Sequence, residues 1–177
     1  MKTIATLAAV AAMAVATSAA AGPLDGLYVQ GTVGGQFQDQ RNDGVAYSAA
    51  VGKDFGQIRA EVEYTGTRGT DSGKVGDVAS NLVSLNAYIE PITVLGATPY
   101  VGAGVGYGQL YHGGVVGDRD GVVFNGTAGV SYPLTSKLDV LAQYRYSIAK
   151  DVEVLKAGGK AEAYRASTAS VGLRYTF

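Results

Sequence analysis

The sequence predicts an all-β fold, an eight-stranded antiparallel up-and-down barrel that spans a membrane with its strands. Three observations lead to this prediction. Apolar and polar residues alternate with a period of two in eight segments, the connections between these segments alternate between short and long, and no segment of the predicted mature chain has a convincing helical period. With 177 residues and no cysteine, the chain suits one domain without disulfides or thiolate metal sites.

The first 21 residues have the composition of a secretory signal peptide. A run of small apolar residues follows Lys2, and Ala19 and Ala21 form an A-x-A cleavage site. A retained helical anchor is the alternative, but the run is shorter than the ~20 residues that a spanning helix needs. We therefore predict a signal peptide over residues 1–21 and a transmembrane β-barrel domain over residues 22–177.

The first four predicted strands place apolar residues at every second position. GLYVQGTVGGQF opens the series over 26–37, and AYSAAVGKDF follows over 46–55. IRAEVEYT, over 58–65, is the most regular, because each apolar residue is followed by a charged or hydroxyl residue, and NLVSLNAYIE alternates similarly over 81–90. This period predicts strands with one apolar and one polar face.

The last four predicted strands repeat the pattern. They are PYVGAGVGYG over 99–108, VFNGTAGVSY over 123–132, LDVLAQYRYSI over 138–148, and a segment from about Tyr164 to Phe177. A strand of roughly ten residues, tilted ~40°, crosses the ~25 Å apolar band of an outer membrane. An even number of strands lets the last pair with the first, which removes the exposed edges that hydrocarbon does not tolerate.

The connections alternate in length. After strands two, four and six they are short, around 54–57, 91–98 and 133–136. After strands one, three, five and seven they are longer and polar, with the sequences QDQRNDG, GTRGTDSGKVGD, HGGVVGDRDG and AKDVEVLKAGGKAE. Short turns at one end and long loops at the other are typical of a transmembrane β-barrel.

The charged residues predict which face lines the lumen. A lipid-facing Arg or Lys at mid-bilayer costs about 2–4 kcal/mol, so we expect the polar face to point inward. An eight-stranded lumen is only wide enough for side chains, and we predict an ionic network there. Its members are Arg59, Glu61, Glu63, Asp139, Arg145 and Arg174. Two interpretations stay open: a plug of paired ions, and a narrow gate whose pairs rearrange to pass ions.

Aromatic residues are expected in two girdles at the membrane boundaries. The girdle on the side of the chain termini comprises Tyr28, Phe55, Tyr132, Tyr175 and Phe177. The girdle on the loop side comprises Phe37, Tyr47, Tyr64, Tyr107, Phe124 and Tyr146. A soluble ligand-binding barrel with its charges outside remains the alternative, because the alternation alone fits both arrangements.

No motif predicts catalysis, a cofactor or a metal site. Gly102, Gly104, Gly106 and Gly108 are spaced by two inside a strand, whereas a dinucleotide loop needs Gly-x-Gly-x-x-Gly between a strand and a helix. We expect them to leave room for bulky lumen side chains. His112 is the single histidine, so it supports no multi-histidine zinc site, and no serine is placed beside it as a nucleophile.

Three stretches resemble a known family. SVGLRYTF, with Ser170, Gly172, Tyr175 and Phe177, resembles the C-terminal signal by which the barrel assembly machinery recognises its substrates. GLYVQGTVGG and PYVGAGVGYG resemble the first and fifth strands of small OmpA-like or opacity-type outer-membrane barrels. The pattern extends over the predicted mature chain and is similar in size to OmpX-like proteins, without the peptidoglycan-binding domain that OmpA adds.

The resemblance implies a non-enzymatic protein of the cell outer membrane with a role in envelope integrity or surface interaction. The implied partners are outer-membrane lipid and lipopolysaccharide, the barrel assembly machinery, and a surface ligand or phage through the four long loops. A narrow ion-conducting pore and a lipid-modifying enzyme using His112 are the alternatives. The formal net charge of −1 lacks the basic excess of a nucleic-acid binder.

Overall fold

Eight antiparallel strands form a closed barrel in the computed structural model, which describes residues 25–38, 41–71, 74–112, 119–150 and 164–177. The strands are β1 (Leu27–Gln38), β2 (Arg41–Asp54), β3 (Ile58–Asp71), β4 (Lys74–Ile89), β5 (Thr98–His112), β6 (Arg119–Pro133), β7 (Leu138–Lys150) and β8 (Tyr164–Thr176). Each strand pairs with the next, and β8 pairs with β1. The predicted fold class is confirmed. No helix among the described residues is long and apolar enough to cross a membrane.

The barrel has two distinct ends. The terminal end is where β1 begins and β8 ends, and it carries the connections β2–β3, β4–β5 and β6–β7. The loop end carries the other three hairpin connections, β1–β2, β3–β4 and β5–β6, together with β7–β8. The predicted signal peptide, residues 1–21, and most of the fourth predicted loop, residues 151–163, lie outside the described residues.

Strands at the loop end are longer than predicted. Only residues 39–40 separate β1 from β2, and only residues 72–73 separate β3 from β4, so most of the first two predicted loops belongs to strands. The paired hydroxyls of Thr67 and Ser80 hydrogen-bond across one of these extensions. Polar side chains on both faces hid the extensions in the sequence, because a strand beyond the apolar band needs no alternation.

Alternate residues along each strand face opposite sides of the barrel wall, as predicted, so the parity of a residue (its odd or even position in the strand) determines its face. Apolar side chains such as Val33, Leu85 and Val101 are exposed on the outside of the wall. Arg59, Glu61 and Glu63 are at most 1% exposed and lie inside. A soluble barrel would place these charges in water and the apolar residues in its core, so the soluble alternative is wrong.

Tyrosine side chains on the inner wall lie against glycines of the following strand. The three pairs are Tyr28 with Gly52, Tyr88 with Gly102, and Tyr100 with Gly129. A Cβ added to Gly129 would lie 2.5 Å from Cζ of Tyr100. The missing Cβ therefore creates the room in which each ring packs. Asn86 fills the corresponding space over Gly104, in agreement with the role expected for the alternating glycines.

Candidate functional site: the lumen ionic network

The six predicted network residues all lie on inward positions of three strands. β3 supplies Arg59, Glu61 and Glu63, β7 supplies Asp139 and Arg145, and β8 supplies Arg174. Five of them are buried, and the Asp139 side chain retains 20% exposure. β3 and β7 are four strands apart in a barrel of eight, so they stand on opposite walls of the lumen.

Near the terminal end, four residues form a continuous ion-paired chain. Arg59 Nε lies 2.5 Å from Glu90 Oε1, and the same oxygen accepts a hydrogen bond from Arg174 Nη1 at 3.1 Å. Arg174 also donates to Asp139 Oδ2 from Nη2 at 2.8 Å and from Nε at 3.0 Å. Glu90 was absent from the predicted network, although it shares the parity of Tyr88 and follows β4 directly.

One ion pair joins opposite walls in the middle of the lumen. Arg145 Nη2 of β7 lies 2.6 Å from Glu63 Oε2 of β3. The guanidinium also donates from Nε to Thr127 Oγ1 at 3.1 Å, and the carboxylate accepts from Asn86 Nδ2 at 2.9 Å. These hydrogen bonds to Thr127 and Asn86 fix the geometry of the buried, charge-assisted pair.

Glu61 is bound by neutral donors. Among the described residues, no ion pair joins its carboxylate to an arginine. Tyr88 OH donates to Oε1 at 2.8 Å, Tyr28 OH donates to Oε2 at 3.0 Å, and Asn86 Nδ2 reaches Oε1 at 3.4 Å. The sequence placed Glu61 in the ionic network, whereas the structure satisfies this buried carboxylate with hydroxyls and an amide.

The Arg59 guanidinium lies among three tyrosine rings. Its Cζ is 4.7 Å from the ring centroid of Tyr88, 5.0 Å from that of Tyr100 and 5.5 Å from that of Tyr28. These distances permit cation–π attraction, which strengthens when the cation is desolvated. The girdle prediction for Tyr28 is wrong: its side chain is 0% exposed, because its parity points it into the lumen over Gly52.

Sequence reasoning missed the tyrosines as members of the site. Tyr88 and Tyr100 contact each other edge to face at 5.7 Å, and Tyr100 OH donates to Gln143 Oε1 at 3.0 Å. The available signal was that each tyrosine alternates with the apolar residues of its own strand, and that a glycine lies opposite it on the neighbouring strand. With the arginines and carboxylates, these rings close the terminal half of the lumen.

The loop half of the lumen carries shorter, mostly uncharged side chains. Thr32 and Ser48 share a hydrogen bond of 2.7 Å between their hydroxyls. Three buried oxygens there have no hydrogen-bond partner: Thr65 Oγ1, Ser84 Oγ and Asn125 Oδ1. Gln30 Oε1, Arg59 Nε and Glu63 Oε1, within the plug, also lack a hydrogen-bond partner. In the described part of the chain, no group of three or more His, Cys, Asp or Glu residues is placed to hold a metal ion.

His112 ends β5, where its backbone is paired with that of Val78. The position of its side chain lies outside the described part of the structure. Nothing in the described residues therefore builds a catalytic site around this histidine.

The last strand closes the barrel against β1. Ser170 and Gly172 point inward at this seam, where Gly172 is paired with Thr32. Tyr175 and Phe177 face outward with their rings edge to face at 5.3 Å, and Phe177 N–H donates to the Leu27 carbonyl at 3.0 Å. The role of these residues as an assembly signal stays a prediction.

Solved structures with the same architecture support the fold. Neisserial surface protein A matches 86% of this chain and 98% of its own, at 20% identity and a TM-score of 0.67. The N-terminal barrel domain of Pseudomonas aeruginosa OprF matches 85% of this chain and 97% of its own, at 20% identity and a TM-score of 0.55. A de novo designed transmembrane β-barrel matches 86% of this chain and 97% of its own, at 14% identity and a TM-score of 0.54.

A search of curated protein sequences finds no match. The sequence profile of the outer membrane protein β-barrel domain matches residues 5–177. Because this match covers nearly the whole chain, the protein belongs to the outer-membrane β-barrel family.

Proposed function

We propose that the protein is a closed barrel of the cell outer membrane that acts through its surface, in envelope integrity and in binding at the loop end. The observation that carries this proposal is the closure of the lumen by Arg145 and Glu63. Their pair joins opposite walls at 2.6 Å, and the tyrosine-enclosed Arg59 lies beyond it toward the terminal end. A lumen filled in this way supports a scaffold better than a route for solutes.

The energetics of the network favour a permanent plug. Removing one partner of a buried ion pair typically destabilises a protein by ~3–5 kcal/mol, because the remaining charge is uncompensated. Opening the lumen would require Arg145 to leave Glu63 and Thr127, and also Arg59 to leave Glu90 and its tyrosines. An opened state would therefore need new partners for these charges.

The proposed partners follow from the two outer surfaces. The exposed apolar wall and its aromatic residues suit lipid and lipopolysaccharide, and the strand seam with Tyr175 and Phe177 suits recognition by the barrel assembly machinery. Residues at the loop end would bind an adhesion target, a receptor or a phage, since recognition on rigid scaffolds concentrates in loops.

A narrow ion-conducting pore is the competing function. One observation favours it: Glu63 Oε1 of the cross-wall pair lacks a hydrogen-bond partner, as do three buried oxygens on its loop side, those of Thr65, Ser84 and Asn125. Such a polar lining permits water to reach the Arg145–Glu63 pair from the loop end. The pore would then depend on rearrangement of this cross-wall pair and of the Arg59 cluster beyond it.

Single-channel conductance distinguishes the two functions. The chain without residues 1–21 is refolded and inserted into a planar bilayer, and insertion is verified by protease protection. We expect a silent membrane, and we expect loop grafts onto an inert barrel to transfer surface binding. Steady small openings whose size shifts in Arg145→Ala would instead establish the pore.

A further inference from the structure

We propose that residues 91–97, in the connection between β4 and β5, form a lipid anchor whose tip inserts into the membrane interface at the terminal end. The lumen network uses none of these residues. The proposed partner is the interfacial layer of the lipid leaflet, where headgroups meet acyl chains. Four features of the hairpin lead to this inference: its backbone, its exposure, its direction and its lack of charge.

The tip is a tight turn with an unusual residue. Val94 N–H donates to the Ala97 carbonyl at 2.8 Å, and Ala97 N–H donates to the Val94 carbonyl at 3.0 Å. The two residues between them, Leu95 and Gly96, have φ angles of 53° and 82°. Two-residue turns with positive φ favour Asn or Gly, whereas Leu95 is the one non-glycine with positive φ among the described residues.

The turn presents an apolar side chain to the surroundings. Leu95 is 97% exposed, and Ile92 and Val94 are 63% and 51% exposed. Three exposed aliphatic residues in one hairpin form an apolar patch that water does not favour. The protein leaves the Leu95 side chain uncovered, and contact with lipid would provide it with an apolar environment.

The hairpin bends toward the lipid-facing side of the barrel. A Cβ added to Gly96 would lie 3.4 Å from Cε2 of Tyr132. Tyr132 stands on the outward face at the end of β6 and is 51% exposed, in the position of a membrane-boundary tyrosine. The tip therefore lies over the outer rim of the barrel and continues its apolar belt, rather than covering the lumen mouth.

The residues of the anchor hairpin carry no charge, and Glu90, which precedes them, belongs to the lumen network. PITVLGATP, residues 91–99, contains no charged residue. In the β2–β3 turn Asp54 accepts a hydrogen bond from Gly56 N–H at 2.7 Å, and in the β6–β7 turn Thr135 Oγ1 accepts from Leu138 N–H at 3.0 Å beside Lys137. Those two turns have the side-chain caps typical of water-exposed loops, whereas the anchor hairpin has chemistry suited to lipid.

Tryptophan fluorescence tests the depth of the tip, because the chain contains no tryptophan. Leu95→Trp and the control Gln57→Trp, in the β2–β3 turn, are each refolded into phosphatidylcholine vesicles with or without brominated acyl chains. We expect the Leu95→Trp emission to be blue-shifted relative to the control and quenched by the brominated lipid. Equal emission maxima without quenching would place the tip in water and overturn the proposal.

The direction in which a second substitution shifts the urea midpoint of unfolding provides an independent test. Asn tolerates the left-handed region better than Leu, so Leu95→Asn in a water-exposed turn should raise the urea midpoint of unfolding from vesicles. If the tip lies in lipid, the loss of its apolar side chain should lower the midpoint. Leu134→Asn, at another exposed leucine of this end, is the matched control and should leave the midpoint nearly unchanged. A raised midpoint in Leu95→Asn would contradict the anchor.

Discussion

The two halves of the lumen are built from different chemistry. The terminal half contains three arginines, four carboxylates and three tyrosines, and the arginines are joined to carboxylates by the four ion pairs described above. The loop half contains hydroxyls, amides and glycines, and some of its buried oxygens have no partner. The terminal half is therefore a plug in which each charged group has defined partners, whereas the loop half requires only polar side chains.

The largest expected effect comes from breaking the cross-wall pair. Glu63→Gln leaves the buried Arg145 guanidinium without its carboxylate, and we expect a loss of ~3–5 kcal/mol in the free energy of unfolding. Urea unfolding from lipid vesicles, followed by the heat-modifiable shift on gels, measures it.

The double variant Glu63→Leu with Arg145→Met is the control for this substitution. Because both charges are removed together, much of the lost stability should return. A Glu63→Gln barrel as stable as the parent would show that the pair contributes little, and the distinction between the two halves would fail.

A smaller effect is expected where a ring packs against a glycine. Gly129→Ala places a Cβ 2.5 Å from the Tyr100 ring, which must then move away from Arg59 and Gln143. Overpacking of this kind costs about 1–3 kcal/mol. The same unfolding assay measures the change.

Gly126 on the same strand provides the matched control. A Cβ at Gly126 meets nothing within 4 Å, so Gly126→Ala should change stability by at most about 0.5 kcal/mol. Equal effects at the two glycines would mean that strand propensity, rather than the tyrosine contact, determines the cost.

The sequence predicted the wall of the barrel better than its contents. Alternation and the cost of charges in lipid were sufficient for the eight strands, their faces and the inward position of Arg59, Glu63 and Arg145. The pairing inside the lumen was not predictable, because it depends on register and strand tilt, which decide that Arg174 reaches Glu90. Glu90 follows the predicted alternation of β4 but lies at its end, where parity is a weaker guide.

The girdle error has a similar cause. Tyr28 was assigned to lipid from its position near the chain terminus, although its parity matched the polar face. Depth along the strand predicts where a tyrosine could meet the membrane boundary, but parity determines which side of the wall it occupies. The neighbouring Gly52 was the additional signal, since a glycine opposite a tyrosine leaves room for the ring.

The smallest effect is expected in the loop half of the lumen. Ser84 is 2% exposed, yet its hydroxyl has no hydrogen-bond partner, so Ser84→Ala removes no bond that the fold makes. Removing an unsatisfied buried hydroxyl, which leaves the methyl side chain of alanine, is neutral or slightly stabilising, and we expect a change within about 0.5 kcal/mol. Asn86→Ala is the comparison on the same strand, because Asn86 donates to Glu63 at 2.9 Å and accepts from Asn125 at 3.2 Å. We expect Asn86→Ala to cost about 1–3 kcal/mol, since a bonded carboxylate loses a donor. If Ser84→Ala were as costly as Asn86→Ala, the loop half would contain bonds as specific as those of the plug, and the lumen would be one continuous network.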